Sequence, residues 1–181
     1  MEYCGRKDIS DIKSTETFPG VMAIVEMPEM SFKDIENSEN VVLLDGVKDP
    51  GNLGTIIRTA DWFGVSSIIL GKDSVDPYNE KTVRSTMGSI FRTNIFRSEN
   101  SAKTIEKLKS VGFKVNALTM NGKNISELKT KGKNLYIFGS ESHGIDKKIE
   151  SLADSSYTIP GNGRAESLNL GVSVGIVLSK I

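Results

Sequence analysis

Three glycine-bearing loops contain the polar side chains best suited to bind or activate a ligand. The first loop, residues 49–54, leads into a predicted helix whose apolar stripe includes Leu53 and Ile57. Asn52 could cap this helix, and the free N–H groups at a helix start favour an anion. Because Arg58 lies off the apolar stripe, we expect it to face solvent or a cleft. The loop alone is also typical of a capped surface helix with a solvated arginine.

The second loop, residues 138–144, directly follows a predicted strand. Gly139 and Gly144 would permit tight turns or a close approach of the backbone to a ligand. Glu141 would stand at the carboxyl end of that strand, where open α/β sheets bind ligands. For this segment alone, the simpler interpretation is a strand–helix turn with a capping acid, in which His143 is a turn residue.

The third loop, residues 159–169, contains Gly161 and Gly163. Their spacing matches part of a dinucleotide-binding fingerprint, but the third glycine is absent and the segment lies near the C-terminus rather than after the first strand. A dinucleotide-dependent enzyme is therefore a poor fit. Ser167 and Asn169 add a hydroxyl and an amide beside the loop, and Ser167 alone would most simply be a helix cap.

The composition excludes several classes of site. The 181 residues include one Cys and one His, which rules out a disulfide framework, a cysteine zinc cage and a histidine pair for a metal. We therefore expect no metal. No apolar run is long enough to span a membrane, and the first residues lack the apolar core of a signal peptide. The sequence thus predicts a reduced, cytoplasmic protein.

The charge is unevenly distributed, although 23 Lys and Arg balance 23 Asp and Glu. Residues 1–80 have a net charge of −8, whereas residues 81–133 have a net charge of +9. Such a local excess can attract a polyanion such as a nucleic acid. Arg84, Arg92 and Arg97 flank residues 85–89 and are our candidates for phosphate contacts. The lysines within residues 103–109 would more simply solubilise the outer face of a helix.

Short β-branched runs alternate with helical patterns from residue 41 onward. The patterns predict strands at 41–44, 67–70, 95–96, 113–118, 135–138 and 157–159, and helices at 53–63, 79–87 and 102–110. This alternation is typical of an α/β domain with a mostly parallel sheet flanked by helices. Upstream, we predict a strand at 21–26 and an acidic linker with about one helical turn at 29–40.

The last apolar segment allows two structures. Apolar residues alternate with period two over residues 168–178, as in a strand. The small residues Gly171, Ser173 and Gly175 would equally let a helix pack very closely. The periodicity alone does not decide between the two.

Taken together and in this order, the three loops resemble the motifs of the SpoU/TrmH family, the S-adenosylmethionine (AdoMet)-dependent RNA 2′-O-ribose methyltransferases of the SPOUT class. The matching residues are Asn52, Gly54 and Arg58, then Gly139, Glu141 and Gly144, then Pro160, Gly161, Gly163, Ser167, Leu168 and Asn169. The resemblance covers residues 41–181. Lys81, Arg84 and Gly88 also resemble the region between the first two motifs.

Residues 11–29 resemble the end of the small ribosomal-protein-like domain that many family members carry. The resemblance divides the chain at residue 38. Residues 1–38 would be a remnant of an N-terminal RNA substrate-binding domain plus a linker, and residues 39–181 would be the methyltransferase domain.

The resemblance implies a SPOUT fold, in which the C-terminal segment is a helix threaded through a loop as a deep trefoil knot. AdoMet would be the cofactor, bent within the knotted loops. Homodimers are implied as well, each site borrowing residues from the partner subunit. The implied cofactor cradle comprises Leu118, Thr119, Gly139, Ser140, Glu141, Gly144, Ile159, Pro160, Gly161, Ser167, Leu168 and Asn169.

The implied reaction is methyl transfer to a ribose 2′-hydroxyl, with ribosomal RNA as the preferred target. Arg58 would stabilise the developing alkoxide and orient a phosphate, because a guanidinium is hard to deprotonate and makes a poor base. Asn52, Glu141, Ser167 and Asn169 would position the ribose and shape the loops. A tRNA 2′-O-methyltransferase and a non-catalytic RNA-binding module are the alternatives. AdoMet binding would separate the second of these from an enzyme.

Overall fold

Six short strands form one parallel sheet in the computed structural model, which describes residues 23–28 and 30–181. The strands are β1 (Asn40–Asp45), β2 (Ser67–Gly71), β3 (Asn94–Ser98), β4 (Lys114–Asn124), β5 (Asn134–Gly139) and β6 (Ser155–Thr158). Their spatial order is β3-β2-β1-β5-β4-β6. Residues 41–44 of β1 are all buried, as expected for a parallel strand that is covered on both faces.

Helices cover both faces of the sheet. They are α1 (Phe32–Glu36), α2 (Pro50–Trp62), α3 (Glu80–Ser85), α4 (Ser101–Ser110), α5 (Lys147–Glu150) and α6 (Leu170–Leu178). One apolar core joins the sheet to α2 and α6 through residues such as Ile57 and Val174. The other joins it to α1, α4 and α5 through residues such as Ile105 and Ile149. The predicted α/β class with a parallel sheet is confirmed.

Helix α6 resolves the ambiguity at the C-terminus. Gly171 and Gly175 face α2: a Cβ added at Gly171 would lie 3.3 Å from Cγ2 of Thr55, and one at Gly175 would lie 3.6 Å from Cγ2 of Thr59. The small residues therefore let the two helices approach closely. The helix that the resemblance implied is confirmed, and the strand that the period-two pattern allowed is wrong.

Two strand predictions need correction. Residues 23–26 of the predicted strand at 21–26 carry no strand, and residues 21–22 lie outside the described part of the chain. Ile24 is 98% exposed, so no sheet face covers it. Strand β4 runs past its predicted end at Leu118 to Asn124, with a shift of register against β6 between Leu118 and Lys123. The helical turn expected in the acidic linker is α1.

In the part of the chain that the structure describes, no helix is long and apolar enough to cross a membrane.

Candidate active site

A cleft of about 990 Å³ opens where β4, β5 and β6 reach the same edge of the sheet. Its walls come from residues 118–121 of β4, from residues 138–145 after β5 and from the segment 157–168 after β6. The chain runs outward from β1 through β2 to β3 and then continues on the other side of β1. Open α/β sheets bind ligands at such a reversal, beyond the carboxyl ends of the strands.

Side-chain hydrogen bonds join the three motifs directly. Nδ2 of Asn52 donates to Oε1 of Glu141 at 2.6 Å, and Nδ2 of Asn169 donates to Oδ1 of Asn52 at 3.0 Å. Asn52 thus links the start of α2 to the loop after β5 and to the start of α6. Because both ends of its amide group are engaged, the three loops are held in one arrangement.

The helix caps differ from the sequence predictions. Asp49, not Asn52, caps α2, with Oδ1 accepting the N–H of Asn52 at 2.7 Å. Residues 50–54 are therefore the first turn of the helix rather than a separate turn. Asn169, not Ser167, caps α6 by accepting the N–H groups of Gly171 and Val172. An aspartate at position 49 frees the Asn52 side chain for the network between the motifs.

The loop after β5 folds back tightly on itself. Ser140 and Gly144 exchange two backbone hydrogen bonds, at 2.9 and 3.1 Å. A Cβ at Gly139 would overlap the backbone of Gly144, so no larger residue fits there without a shift of the loop. His143 donates its N–H to Oγ of Ser140 at 3.3 Å, and its Nδ1 lies 2.7 Å from Oγ of Ser142. His143 is thus part of the turn, and it also lines the cleft.

Arg58 stands apart from the cleft of its own chain. It is exposed on α2, six residues beyond Asn52 and about 9 Å further along the helix axis. It is not among the residues that line the cleft. No residue within 23–28 and 30–181 forms a hydrogen bond or an ion pair with its guanidinium. The structure therefore does not bring Arg58 together with the other site residues within one chain.

Each of the three candidate RNA-binding arginines has an acidic neighbour. Arg84 pairs with Glu80 at 2.8 Å, Arg92 with Asp61 at 2.6 Å and Arg97 with Asp76 at 3.5 Å. Their side chains remain at least half exposed. Such surface pairs are weak and leave the guanidinium groups open to water and to ligands.

Helix α3, which carries Arg84, is packed closely against α2. A Cβ at Gly54 would overlap the side chain of Ser85 and would lie 2.7 Å from the carbonyl oxygen of Thr82. Only glycine lets the two helices come this close. Gly54 thereby fixes α3, with its cationic residues, beside the first motif.

Eleven of the twelve expected cofactor-cradle residues line the cleft: Leu118, Thr119, Gly139, Ser140, Glu141, Gly144, Ile159, Pro160, Gly161, Ser167 and Leu168. Asn169 does not line it but contacts Asn52. Sequence reasoning missed Met120, Asn121, Lys147, Glu150 and Glu166, which also line the cleft. For Lys147 the sequence does contain a signal: Asp146 directly before it is a typical helix N-cap, just after the second motif.

Comparisons with known proteins agree on one family. The model of the SpoU rRNA Methylase family matches residues 39–179. The 23S rRNA (guanosine(2553)-2′-O)-methyltransferase RlmP of Bacillus subtilis is 36% identical over 170 residues, covering 93% of this chain and 67% of the relative. An uncharacterized tRNA/rRNA methyltransferase of Mycoplasma genitalium is 36% identical over 81% of this chain, which spans 62% of that relative's length.

Solved structures show the same fold with AdoMet bound. An AdoMet-bound rRNA methyltransferase from Sinorhizobium meliloti superposes with a TM-score of 0.89 at 37% identity, covering 96% of this chain and 68% of that chain. The SpoU methyltransferase AviRb from Streptomyces viridochromogenes, in complex with AdoMet, has a TM-score of 0.78 at 28% identity, covering 84% and 64% of the two chains.

Proposed function

The chain belongs to the SpoU rRNA methylase family, and we propose that it transfers a methyl group from AdoMet to a ribose 2′-hydroxyl of ribosomal RNA. The observation that carries this proposal is the convergence of the three motifs. Glu141, Asn52 and Asn169 are joined by hydrogen bonds beside a cleft at the carboxyl edge of the sheet. A binding module would not need this arrangement of an amide network, a carboxylate and glycine-shaped loops.

The residues of the cleft fit AdoMet. Its volume of about 990 Å³ is sufficient for a nucleoside-sized ligand, and Leu118, Ile159 and Leu168 give it apolar walls. Glu141, Glu150 and Glu166 supply carboxylates for a cationic ligand, while Lys147 can face a carboxylate. Gly161 and Gly163, which are exposed in the segment after β6 and line the cleft, offer main-chain N–H and C=O groups that can recognise an adenine.

When bound, AdoMet supplies an electrophilic methyl group. The chain's own residues must then present the ribose hydroxyl and manage its proton. Arg58, which has no partner among the described residues, can stabilise the negative charge that develops on the hydroxyl oxygen and can hold the adjacent phosphate. Asn52 and Asn169 keep the loops in place, so that the bound ribose is oriented towards the methyl group. Such orientation of the reacting groups supplies much of the rate.

The position of Arg58 supports a homodimer with composite sites. Arg58 lies outside the cleft of its own chain. Val172 of α6 is 52% exposed on the helix that packs against α2, and Leu168 is 48% exposed at the cleft. A second copy that covers the exposed face of α6 beside the cleft would bury these apolar groups and bring its Arg58 to the cleft.

We place the reaction in the cytoplasm and favour ribosomal over transfer RNA. The Bacillus relative is named for 23S rRNA, and the Sinorhizobium neighbour is described as an rRNA methyltransferase. We further propose that residues 1–38 are a remnant of an RNA substrate-binding domain plus a linker, and the start of the family model at residue 39 is consistent with this division. Arg84, Arg92 and Arg97 would contact RNA phosphates.

The test combines cofactor binding with methyl transfer. The protein is titrated with AdoMet by calorimetry and then incubated with radiolabelled AdoMet and unmodified transcripts of 23S rRNA or of tRNA. We expect saturable AdoMet binding and label in the 23S transcript. Label in tRNA alone would identify the tRNA alternative. An absence of AdoMet binding at millimolar concentration would support the binding module and overturn the proposal.

A further inference from the structure

The last residue of α2 leaves a large aromatic ring in water. Trp62 is 84% exposed, and it is the single tryptophan of the sequence. Tryptophan usually buries most of its surface, and it is enriched where proteins contact partners. Phe91 is 71% exposed in the 3-10 helix Ser89–Phe91, which contacts α2. The core does not use either ring.

Trp62 shares one face of α2 with Arg58. The two residues are four positions apart, a spacing that places side chains next to each other, with about 5–6 Å between their Cβ atoms. In the proposed function Arg58 acts at the ribose hydroxyl. A base is attached to that ribose. An aromatic ring one helical turn from Arg58 is therefore within reach of the base of the target nucleotide, or of the base next to it.

A second guanidinium is anchored at the same end of α2. Arg92 donates from Nε to both carboxylate oxygens of Asp61, at 3.3 and 3.2 Å, and from Nη2 to Oδ2 at 2.6 Å. Asp61 directly precedes Trp62, so Arg92 is held at the last turn of α2, although consecutive helical side chains point in different directions. These contacts do not use Nη1 of Arg92, and the side chain remains 61% exposed. A phosphate next to a stacked base could accept a hydrogen bond from it.

We propose that Trp62 is a stacking residue for an unpaired base of the RNA substrate, with Arg58 one helical turn away and Arg92 anchored at the same end of α2. Recognition of single-stranded RNA commonly combines an aromatic face for a base with guanidinium groups for the backbone. The charged groups at this end of α2 favour RNA over a second copy of this chain, because the centres of protein interfaces are depleted of charge. The inference rests on the proposed function, since Arg58 sets the place of the ribose.

The single tryptophan makes the inference directly measurable. Acrylamide quenching and emission of Trp62 are recorded for the full chain alone and with increasing amounts of a 12-nucleotide single-stranded oligoadenylate and a 23S rRNA transcript, while binding is followed by anisotropy of labelled RNA. We expect free Trp62 to be accessible to acrylamide and to be protected, with changed emission, as RNA binds. Emission that is unchanged at saturating RNA would overturn the proposal.

The same experiment separates RNA from other occupants. If a second copy covers Trp62, the free protein is already protected from acrylamide and loses that protection on dilution. Protection of the free protein that is independent of concentration would show that the ring is covered without RNA. Either result would overturn the proposal.

Variants separate this role from the proposed function. Trp62→Ala is expected to raise KM for RNA about 10- to 100-fold while kcat and AdoMet affinity change little, and Trp62→Phe should recover much of the loss. Val111→Ala, which truncates an exposed apolar residue at the end of α4, is the matched control and should not change KM. If Trp62→Ala leaves KM unchanged while Arg58→Ala is inactive, the stacking role is rejected and the proposed function stands. A wild-type chain that does not bind AdoMet would reject the proposed function.

Discussion

At the scale of single residues, the proposed chemistry depends on Arg58 and on the amide network of Asn52. Arg58 supplies a planar, permanently charged donor with no competing partner among the described residues. Asn52 has a different role, because its amide group is hydrogen-bonded to both Glu141 and Asn169. The two residues should therefore fail in different ways when they are replaced.

Replacing Arg58 should strongly lower the rate of methyl transfer without weakening the binding of AdoMet. We expect Arg58→Ala to lower kcat by about 100-fold or more, the usual effect of removing one preorganised donor to a developing oxyanion. Arg58→Lys keeps the charge but loses the planar fork and should recover only part of the rate. AdoMet affinity by calorimetry should stay within about twofold of wild type. Transfer that persists near the wild-type rate in either variant would remove Arg58 from the mechanism.

Replacing Asn52 should instead weaken cofactor binding. Asn52→Ala removes both hydrogen bonds of the network, and we expect the Kd for AdoMet to rise about tenfold, which corresponds to roughly 1.4 kcal/mol. Asn100→Ala, which removes the side-chain cap of α4 on the other layer, is the matched control. Both variants should unfold more easily than wild type, Asn100→Ala by about 1 kcal/mol because it loses a helix cap. Equal AdoMet affinity in the two variants would show that the network does not support the site.

Sequence reasoning identified these residues but not all of their roles. The order of the three motifs predicted that Asn52, Glu141 and Asn169 share one site. Glu141 and Asn169 are 89 and 117 positions after Asn52 in the sequence. The cap at Asp49 was missed because Asp and Asn are equally good N-cap residues, and two of them fall within four positions. Trp62 was missed because its exposure cannot be read from a helical pattern that was expected to run on to Phe63.

At the scale of elements, the carboxyl edge of the sheet holds the site and also a half-buried carboxylate, Asp45, whose charge destabilises the folded state. Asp45 ends β1, and its Oδ2 accepts the N–H of Asp146 at 3.0 Å. Burial, followed by the charges of Asp146 and Asp73, raises the pKa of Asp45, although the Asp146 hydrogen bond opposes the shift. The ionised Asp45 therefore makes the folded state less stable than an uncharged acceptor would.

The sign of this effect gives a pH-dependent prediction. A raised pKa in the folded state means that stability is lost as pH rises from the unfolded value, about 3.9, through the folded pKa. Asp45→Asn keeps an acceptor for Asp146 and removes the charge. We expect its Tm to exceed that of wild type by a few degrees at pH 7 and to match it near pH 3. Thermal unfolding at both values checks this, and a difference that does not depend on pH would contradict it.

The elements themselves were largely predictable, with informative exceptions. The buried strands β1, β2 and β5 follow from short apolar runs, which are typical of strands in a parallel sheet covered on both faces. Helix α6 did not follow from periodicity, because its alternating pattern reflects small residues packed on Thr55 and Thr59 rather than the two faces of a strand. Residues 23–26 of the strand expected at 21–26 form no strand, because an apolar run forms a strand only where a neighbouring strand is available.

At the scale of the whole molecule, the zero net charge conceals an acidic first part and a cationic middle. The middle part contains Arg84, Arg92 and Arg97, which lie near α2 or at β3 rather than in the cleft. The proposed composite site would join these surfaces to the cleft of a second copy. No sequence pattern encodes that assembly, or the knot implied by the family, because both depend on the path of the chain and on a partner.

Mixing two inactive variants tests the composite site. Arg58→Ala and Gly139→Val protomers are combined under conditions that exchange subunits, the second variant being blocked by overlap with Gly144. If Arg58 acts in the partner's cleft, each mixed dimer regains one intact site, and the mixture should recover about a quarter of wild-type activity. Light scattering should report twice the mass of one chain. A mixture that stays inactive, with exchange verified, would place Arg58 and the cleft in the same protomer.

The account as a whole is tested most directly by locating the transferred methyl group. Unmodified 23S rRNA is incubated with the protein and AdoMet, and the product is digested with alkali, which does not cleave next to a 2′-O-methylated ribose. The account predicts one alkali-resistant position, absent without AdoMet and absent with Arg58→Ala. A methyl group on a base, or no methyl group although AdoMet binds, would contradict it.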